Sequence, residues 1–438
     1  MSRVAGSAAD RVPVERTAAA PRVGRSWFAL FTVAWLVIWT VQLTPLQLLL
    51  PLQLDTADSR AGWIAGVVSS GIVLGIGGLA GVIAGPVAGA LSDRGSGSRH
   101  RRRPWALGGV WLTAICLVLT GLSAGPWLIG ASWIGVSVGI AVASAAFTAM
   151  IADQLPVAQR GAASAAVGSS QALGIVLGVG AVVTLGVGVL AGYLMLAGTM
   201  AILGSAAALL LPDPVPARGS GGARTAAPEA VGIRIDRLAS LRDRDFRWML
   251  IGRLVVNVGN ALGTSLFLFF LLYGIGQPHA VAEDNLLLLI VVYTVFVVIA
   301  SIAVGTVSDR WGKRRSLTVA AALVQAGSGI VIVASPTFGA TMVAAALMGV
   351  GYGAFSTTGL AFATDLLPSE RDHARDLGIV NVTAALGQLL GPVIGAALVA
   401  LVGGFWLVFL AAAVLSVVGA GLTAVARERG AVAVAVAP

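Results

Sequence analysis

Residues 305–315 read Gly-Thr-Val-Ser-Asp-Arg-Trp-Gly-Lys-Arg-Arg, and they end a long apolar run. Residues 89–94 read Gly-Ala-Leu-Ser-Asp-Arg, and they also end an apolar run. The two Asp-Arg pairs lie 216 residues apart in a chain of 438 residues, close to half its length. The chain is therefore predicted to consist of two related halves.

Two further pairs of segments support this duplication. Residues 153–156 read Asp-Gln-Leu-Pro, and residues 365–368 read Asp-Leu-Leu-Pro at an offset of 212. Residues 171–174 read Gln-Ala-Leu-Gly, and residues 388–391 read Gln-Leu-Leu-Gly at an offset of 217. Three matches in the same order are hard to produce by chance. Internal repeats in a mostly apolar chain are typical of secondary transporters.

The composition excludes an ordinary soluble domain. The chain is 57% hydrophobic and 11% charged, with a mean hydropathy of +0.92, whereas soluble domains carry about 25% charged residues. The net charge of +9 could indicate nucleic-acid binding, but the basic residues lie between apolar runs rather than on a soluble domain. No nucleic-acid partner is predicted, and membrane lipids are the partners expected from the composition.

Apolar runs of roughly twenty residues, the length that a helix needs to cross a bilayer, occur twelve times along the chain. The predicted fold class is an all-α integral membrane protein with 12 transmembrane helices in two pseudo-symmetric six-helix bundles. The spans are predicted near residues 27–52, 62–91, 105–123, 126–151, 162–185, 188–211, 248–272, 285–307, 316–334, 338–364, 377–401 and 404–425. The predicted organisation is a cytoplasmic N-terminal tail (1–26), a six-helix bundle (27–211), a cytoplasmic linker (212–247), a second six-helix bundle (248–425) and a cytoplasmic C-terminal tail (426–438).

The distribution of Lys and Arg predicts the orientation of these helices. With both termini inside, Arg60 is the one basic residue of 28 that falls on an outer loop. Arg253 falls within the first turns of helix 7, and the other 26 lie on the inner side. Cytoplasmic loops carry such an excess of Lys and Arg. We therefore expect a multi-pass protein of the cytoplasmic (inner) cell membrane with both termini in the cytoplasm.

Residues 305–315 also carry a resemblance to a known family. They fit the loop signature of the major facilitator superfamily at every position, namely Gly, three residues, Asp, Arg, any residue, Gly and two basic residues. The first copy departs from this pattern, because residues 95–100 are inserted before the basic run. Residues 92–105 instead resemble the branch that holds cation-coupled sugar symporters and sucrose transporters, in which a Gly usually stands in place of His100.

The resemblance to the superfamily implies a fold and a mechanism. It implies two six-helix bundles that surround a central cavity and rock to expose it alternately on each side of the membrane. It also implies that helices 1, 4, 7 and 10 line the cavity.

The two Asp-Arg segments are candidates for a gating latch. Their glycines would let another helix approach closely. Their aspartates would accept hydrogen bonds from the N-terminus of a helix in the opposite half, which the helix dipole favours. The alternative is that these charges fix the topology by attraction to anionic lipids. The predicted latch residues are Gly89, Asp93, Arg94, Gly305, Asp309 and Arg310.

The acidic residues bear on ion coupling. None of the 19 lies near the centre of a predicted helix, where a buried carboxylate would be costly and kept for function. The remaining candidates for coupling to a proton or another cation are Asp55 and Asp58 at the outer end of helix 1 and Asp153 and Asp365 at the inner side. Passive facilitation is therefore an alternative to coupling.

Polar and aromatic side chains at helical spacing on the presumed lining helices predict a substrate site. The predicted substrate-binding residues are Trp35, Trp39, Gln42 and Gln47 on helix 1, Trp133 on helix 4, Asn257, Asn260 and Thr264 on helix 7, and Tyr352 and Ser356 on helix 10. Amides and aromatic faces suit a neutral, hydroxylated ligand such as a sugar. The alternative is that these side chains join packed helices.

Arg253 is the one charge at any depth in a predicted span. Its position in the first turns of helix 7 favours a side chain that snorkels to the inner surface. The alternative is that it binds an anion.

Together these patterns predict a monomeric secondary transporter of a small, mostly uncharged, sugar-like solute. Export of drugs or metabolites is the alternative, although helix 5 has Gly174-Ile175 where drug antiporters of the family tend to carry Gly-Pro. A membrane sensor or an enzyme is disfavoured, since no histidine or carboxylate is available at membrane depth. The three histidines lie far apart in sequence, so no metal site is predicted, and no cofactor is predicted either.

Overall fold

The computed structural model describes residues 23–55, 62–94, 102–213, 242–366 and 373–427. Among these residues, eleven helices are long and apolar enough to cross a membrane. A further pair, Arg244–Ser265 and Phe267–Gly274, meets the same criterion as one helix bent by 42°. The described residues contain no strand. The predicted all-α membrane fold is confirmed.

The helices follow the predicted spans in order, and we number them α1 to α12. The first six are α1 (Arg25–Thr44, continued by a π-helical turn at Pro45–Leu49 and by Leu50–Leu54), α2 (Gly62–Arg94), α3 (Arg103–Leu122), α4 (Pro126–Gln154), α5 (Val157–Thr184) and α6 (Val189–Thr199, extended to Leu210). The second six are α7 (Arg244–Ser265, bent into Phe267–Gly274), α8 (His279–Trp311), α9 (Arg314–Ala334), α10 (Phe338–Asp365), α11 (His373–Val402) and α12 (Trp406–Val425).

Helices α7 and α8 are among those that begin earlier than the hydropathy predicts. Helix α7 begins at Arg244, inside the predicted linker, because the side chain of Asp243 accepts a hydrogen bond from the backbone N–H of Phe246 at 2.9 Å. An aspartate at this position satisfies one of the unpaired N–H groups of a helix end. Helix α8 begins at His279 after Pro278, so its first polar turn extends beyond the apolar run.

Two short junctions are turns at glycine. Gly186 separates α5 from α6 with φ +59°, and Gly403 separates α11 from α12 with φ +65°. Side chains other than glycine rarely adopt positive φ. Each of these glycines therefore allows a turn between two helices. As a result α5 and α6 are separate helices, as are α11 and α12, although each pair could be mistaken for one long helix.

The halves contact each other mainly through two pairs of helices. Helices α1 to α6 pack chiefly on one another, as do α7 to α12, and the largest contacts between the two sets are α2 with α11 and α5 with α8. The division into bundles at 27–211 and 248–425 stays a prediction.

Glycines on α2 show where the halves are closest. A Cβ atom at Gly71 would lie 2.9 Å from the backbone oxygen of Pro392 and would overlap Ala396 of α11. At Gly85, further along α2, a Cβ atom would meet nothing within 4 Å. The two helices are therefore in tight contact near the end of α2 that begins at Gly62, the predicted outer end, and the contact is looser toward the other end.

Candidate functional site

A cavity of about 1000 Å³ lies between the halves. Its wall includes Gln47 and Thr264 in the outer halves of their helices, and toward the predicted inner end it includes Ser164 and Thr364. Helices α1, α5, α7, α8, α10 and α11 contribute to this wall. A cavity of this size suits a small organic molecule.

Six of the ten predicted substrate-binding residues lie on this wall. Asn257, Asn260 and Thr264 fall at i, i+3 and i+7 on α7, so one face of that helix turns toward the cavity. The six residues that the structure brings together are Gln47, Asn257, Asn260, Thr264, Tyr352 and Ser356. Contact of these residues with a solute stays a prediction.

Two of the predicted tryptophans lie away from the cavity wall. Trp35 and Trp39 continue an aromatic row from Trp27 and Phe31, and the ring centroids of Trp35 and Trp39 are 6.2 Å apart. Trp35 is buried in the hydrophobic core, and a Cβ atom at Gly174 of α5 would lie 2.9 Å from the Cβ of Trp39. The prediction that they line the cavity is wrong in this conformation, because their face of α1 packs against other helices.

Gln42 and Trp133 also lie outside the cavity wall. Five residues separate Gln42 from Gln47, which places their side chains about 140° apart around the helix axis, so Gln47 reaches the cavity with Leu43 and Leu46 and Gln42 does not. A Cβ atom at Gly77 of α2 would lie 2.6 Å from the indole nitrogen of Trp133. The Trp133 ring therefore packs against α2 at Gly77, where the helix has no side chain.

The helices that line the cavity differ in part from those the resemblance implies. Helices α1, α7 and α10 contribute as expected, but α4 supplies no residue to the wall in the part of the chain that the structure describes. Helices α5, α8 and α11 complete the wall instead. Helix α5 brings Gln171 to the cavity, and α11 brings Gln388. Both amides belong to the repeated Gln-x-Leu-Gly segments, and that repetition within apolar helices was the signal that could have identified them.

Hydrogen bonds join polar groups around the cavity. The amide nitrogen of Asn257 donates to Thr383 Oγ1 at 3.5 Å, and the hydroxyl of Tyr293 donates to Asn260 Oδ1 at 3.4 Å. The rings of Tyr293 and Tyr352 are stacked with centroids 6.5 Å apart. These long hydrogen bonds leave donor and acceptor capacity for a ligand.

Arg253 also lies on the cavity wall. Its side chain is 8% exposed, and its Nε and Nη1 atoms have no hydrogen-bond partner. Its Cζ atom lies 5.8 Å from the centroid of the Phe355 ring. The interpretation that Arg253 snorkels to the inner surface is therefore wrong, because the guanidinium is buried against the wall.

The predicted outer end of the cavity is closed by contacts between the halves. Asp55, at the end of α1, accepts a hydrogen bond from the hydroxyl of Tyr273, and its Oδ2 lies 3.1 Å from His279 Nε2. The Trp63 ring, from α2, stacks on Tyr273 and on Phe405, with centroids 5.1 and 5.4 Å apart. Asp55 thus takes part in the closure. Asp58, the neighbouring coupling candidate, lies outside the described residues.

A family model described as Major Facilitator Superfamily matches residues 28–282 and 254–434. The chain belongs to the Major Facilitator Superfamily.

Solved structures share its fold. The nucleoside transporter NupG superposes with a TM-score of 0.70 at 14% identity, covering 91% of this chain and 98% of that one. A bacterial homologue of the human lysosomal transporter Spinster, in an inward-facing and unoccupied conformation, superposes with a TM-score of 0.70 at 15% identity, covering 92% and 98%.

One curated relative is similar over a shorter stretch. The multidrug resistance protein Stp of Mycobacterium tuberculosis (strain CDC 1551 / Oshkosh) is 30% identical over 147 residues. The match covers 32% of this chain and 27% of that protein. The chain thus matches about a quarter of the length of this relative.

At the predicted inner end, each half of this superfamily member holds a charged pair. Arg102 Nε lies 2.9 Å from Asp153 Oδ2, and Arg314 binds Asp365. The two arginines are 212 residues apart, as are the two aspartates. The sequence predicts the position of both aspartates but not these partners. Each coupling candidate at the inner side is therefore paired with an arginine of its own half.

The predicted latch is not formed at Asp309. Its side chain is 75% exposed, and its Oδ1 lies 3.7 Å from Arg314 of the same half. The predicted contact with a helix of the opposite half is absent among the described residues, because the inner ends of the halves stand apart around the cavity. Arg310 is exposed. The side chains of Asp93 and Arg94 lie outside the described residues.

The two latch glycines also differ from the prediction. A Cβ atom at Gly89 would meet nothing within 4 Å, so the close approach predicted there is wrong in this conformation. A Cβ atom at Gly305 would lie 3.1 Å from Thr357 Cγ2, on α10 of the same half. Gly305 thus allows close packing within one half rather than between the two.

Proposed function

We propose that this superfamily transporter carries a small organic solute across the cytoplasmic membrane by alternating access. The observation that supports this most directly is the asymmetry of the cavity, which extends toward one end of the helices while Asp55, Trp63, Tyr273 and Phe405 close the other. A carrier of this kind exposes one site to each side in turn. The conformation described here would be the inward-open one.

This assignment of sides rests on the basic residues. With both termini in the cytoplasm, nearly all Lys and Arg lie on the side to which the cavity extends. The exposed side chain of Asp309 is in keeping with an open inner end. We propose that the latch forms only in the opposite conformation, in which the inner end closes.

We propose a mostly uncharged, sugar-like solute. The amides of Gln47, Asn260 and Gln388 and the hydroxyls of Tyr293 and Tyr352 supply donors and acceptors around the cavity. Such groups suit a hydroxylated molecule. The transporter would act as a monomer.

Export of drugs or metabolites is a second candidate. It is favoured by the 30% identity over 147 residues to a protein named for multidrug resistance, and much of the cavity wall is apolar. Both candidates use the same cavity and differ in solute and direction.

Among the acidic residues, Asp55 is the candidate that we favour for coupling to a proton or another cation. Its carboxylate bridges the halves at the closed end. Asp153 and Asp365 instead hold arginines within one half.

Counterflow in liposomes tests this function. The full-length protein is reconstituted, and the exchange of labelled sugars and of labelled lipophilic drugs is measured against concentration. We expect exchange that saturates for one of the two classes. Exchange that rises linearly for every solute and equals that of empty liposomes would contradict a carrier.

A matched pair of variants tests the site. Asn260→Ala removes an amide from the cavity wall, and we expect the transport kcat/KM to fall about ten-fold, the loss of roughly one good hydrogen bond to the solute. Gln42→Ala removes an amide that the sequence also predicts but that lies off the wall, and we expect transport within about two-fold of the wild type. Equal losses in both variants would contradict this placement of the site.

A further inference from the structure

Arg253 is an unpaired charge deep in the wall of the transport cavity. It lies nine residues into α7, roughly 14 Å along the helix axis from Arg244. Its Nε and Nη1 atoms are buried and have no hydrogen-bond partner. None of the ion pairs among the described residues includes Arg253.

The surroundings of Arg253 accommodate the guanidinium without neutralising it. The Phe355 ring lies 5.8 Å from Cζ and offers a weak cation–π contact. Gly359 leaves room for the side chain, since a Cβ atom there would lie 3.0 Å from Nη1. A buried charge without a partner is costly. The protein alone therefore leaves this cation in need of an anion.

We propose that Arg253 binds an anionic group of the solute, a carboxylate or a phosphate. The planar guanidinium presents paired N–H donors that match the two oxygens of such a group. Asn257 and Asn260 lie on the wall one and two turns further along α7, where they would contact the uncharged body. The solute class is thus a mostly uncharged molecule with one anionic group. This inference rests on the proposed transport function and narrows its solute.

Matched pairs of acid and neutral compounds test this proposal. The probes are glucuronate against glucuronamide, benzoate against benzamide, and inorganic phosphate alone. Binding to the purified full-length protein is followed by tryptophan fluorescence and by the shift in melting temperature. We expect at least one acid to bind the wild type about ten-fold to a hundred-fold more tightly than its amide, the range for a hydrogen bond to a charged group.

Three variants separate the role of Arg253 from a general effect of charge. In Arg253→Gln we expect acid and amide to bind within about two-fold of each other, while Arg253→Lys keeps part of the preference because it keeps the charge. Arg247→Gln, on the exposed side of the same helix, is the control and should keep the full preference. The melting temperature of unliganded Arg253→Gln should equal or exceed that of the wild type, since an unpaired buried charge is removed.

The outcomes separate this inference from the proposed function. The anion site is overturned if the wild type shows neither an acid preference nor binding of phosphate, or if the preference survives in Arg253→Gln. If the anion site is overturned but neutral solutes still show saturable exchange, the proposed transport function is retained. Tight binding of phosphate without any carboxylate preference would assign a phosphorylated solute, and the reverse would assign a carboxylate.

Discussion

Asp55→Ala is expected to open the outer end of the cavity. The Asp55 side chain is 9% exposed and joins the halves through Tyr273 and His279. A hydrogen bond to a charged group contributes about 1.5–3 kcal/mol. Loss of these contacts should therefore shift the equilibrium away from the inward-open conformation by about ten-fold to a hundred-fold.

Side-specific labelling measures this shift. A single cysteine, Thr264→Cys, is placed on the cavity wall after Cys116→Ser removes the native thiol, and a membrane-impermeant maleimide is applied from the predicted outer side of oriented vesicles. We expect slow labelling with Asp55 present and labelling at least about ten-fold faster with Asp55→Ala. Asp284→Ala, which removes an exposed acid at the same end of α8, should leave the rate unchanged. Equal rates in all three proteins would contradict the closure.

The second large effect concerns the buried guanidinium of Arg102. Its side chain is 6% exposed, and it binds Asp153 and also donates to Ser92 Oγ at 2.7 Å. Asp153→Ala removes the carboxylate that lies 2.9 Å from this guanidinium. Removing one partner of a fully buried pair costs about 3–5 kcal/mol, but the Asp153 side chain is 38% exposed, so we expect a loss of about 1–3 kcal/mol.

Thermal unfolding in detergent measures this loss. We expect Asp153→Ala to lower the melting temperature by several degrees. Adding Arg102→Gln to that variant should recover part of the loss, because the buried charge that lost this carboxylate is then gone. Arg102→Gln is also measured alone against the wild type. If it destabilises Asp153→Ala by as much as it destabilises the wild type, the two side chains act independently and the prediction is wrong.

The duplication and the spans were predictable from sequence because both depend on local composition. A helix that crosses a bilayer must be apolar for about twenty residues, and the repeats at 89–94 and 305–315 give the register of the halves. The start of α7 was missed because the Asp243 cap extends that helix beyond its apolar run, and the start of α8 was missed because its first turn after Pro278 is polar.

The candidate site was predictable in part. Helical spacing shows which residues share a face, and the face of Asn257 and Asn260 does meet the cavity. Spacing does not show whether a helix face contacts the cavity or another helix. The aromatic row on α1 that includes Trp35 and Trp39 was therefore assigned to the site, although it packs within the protein. The direction of the Arg253 side chain likewise depends on neighbours from other helices, which a single sequence does not reveal.

Distances between spin labels across α5 and α8 test alternating access most directly. The outer pair is Leu185→Cys with Val281→Cys, and the inner pair is Ala162→Cys with Thr306→Cys, all at exposed positions. We expect Asp55→Ala to lengthen the outer distance and to shorten the inner one in the same protein population. An outer distance that lengthens while the inner distance stays fixed would contradict halves that rock about a central site.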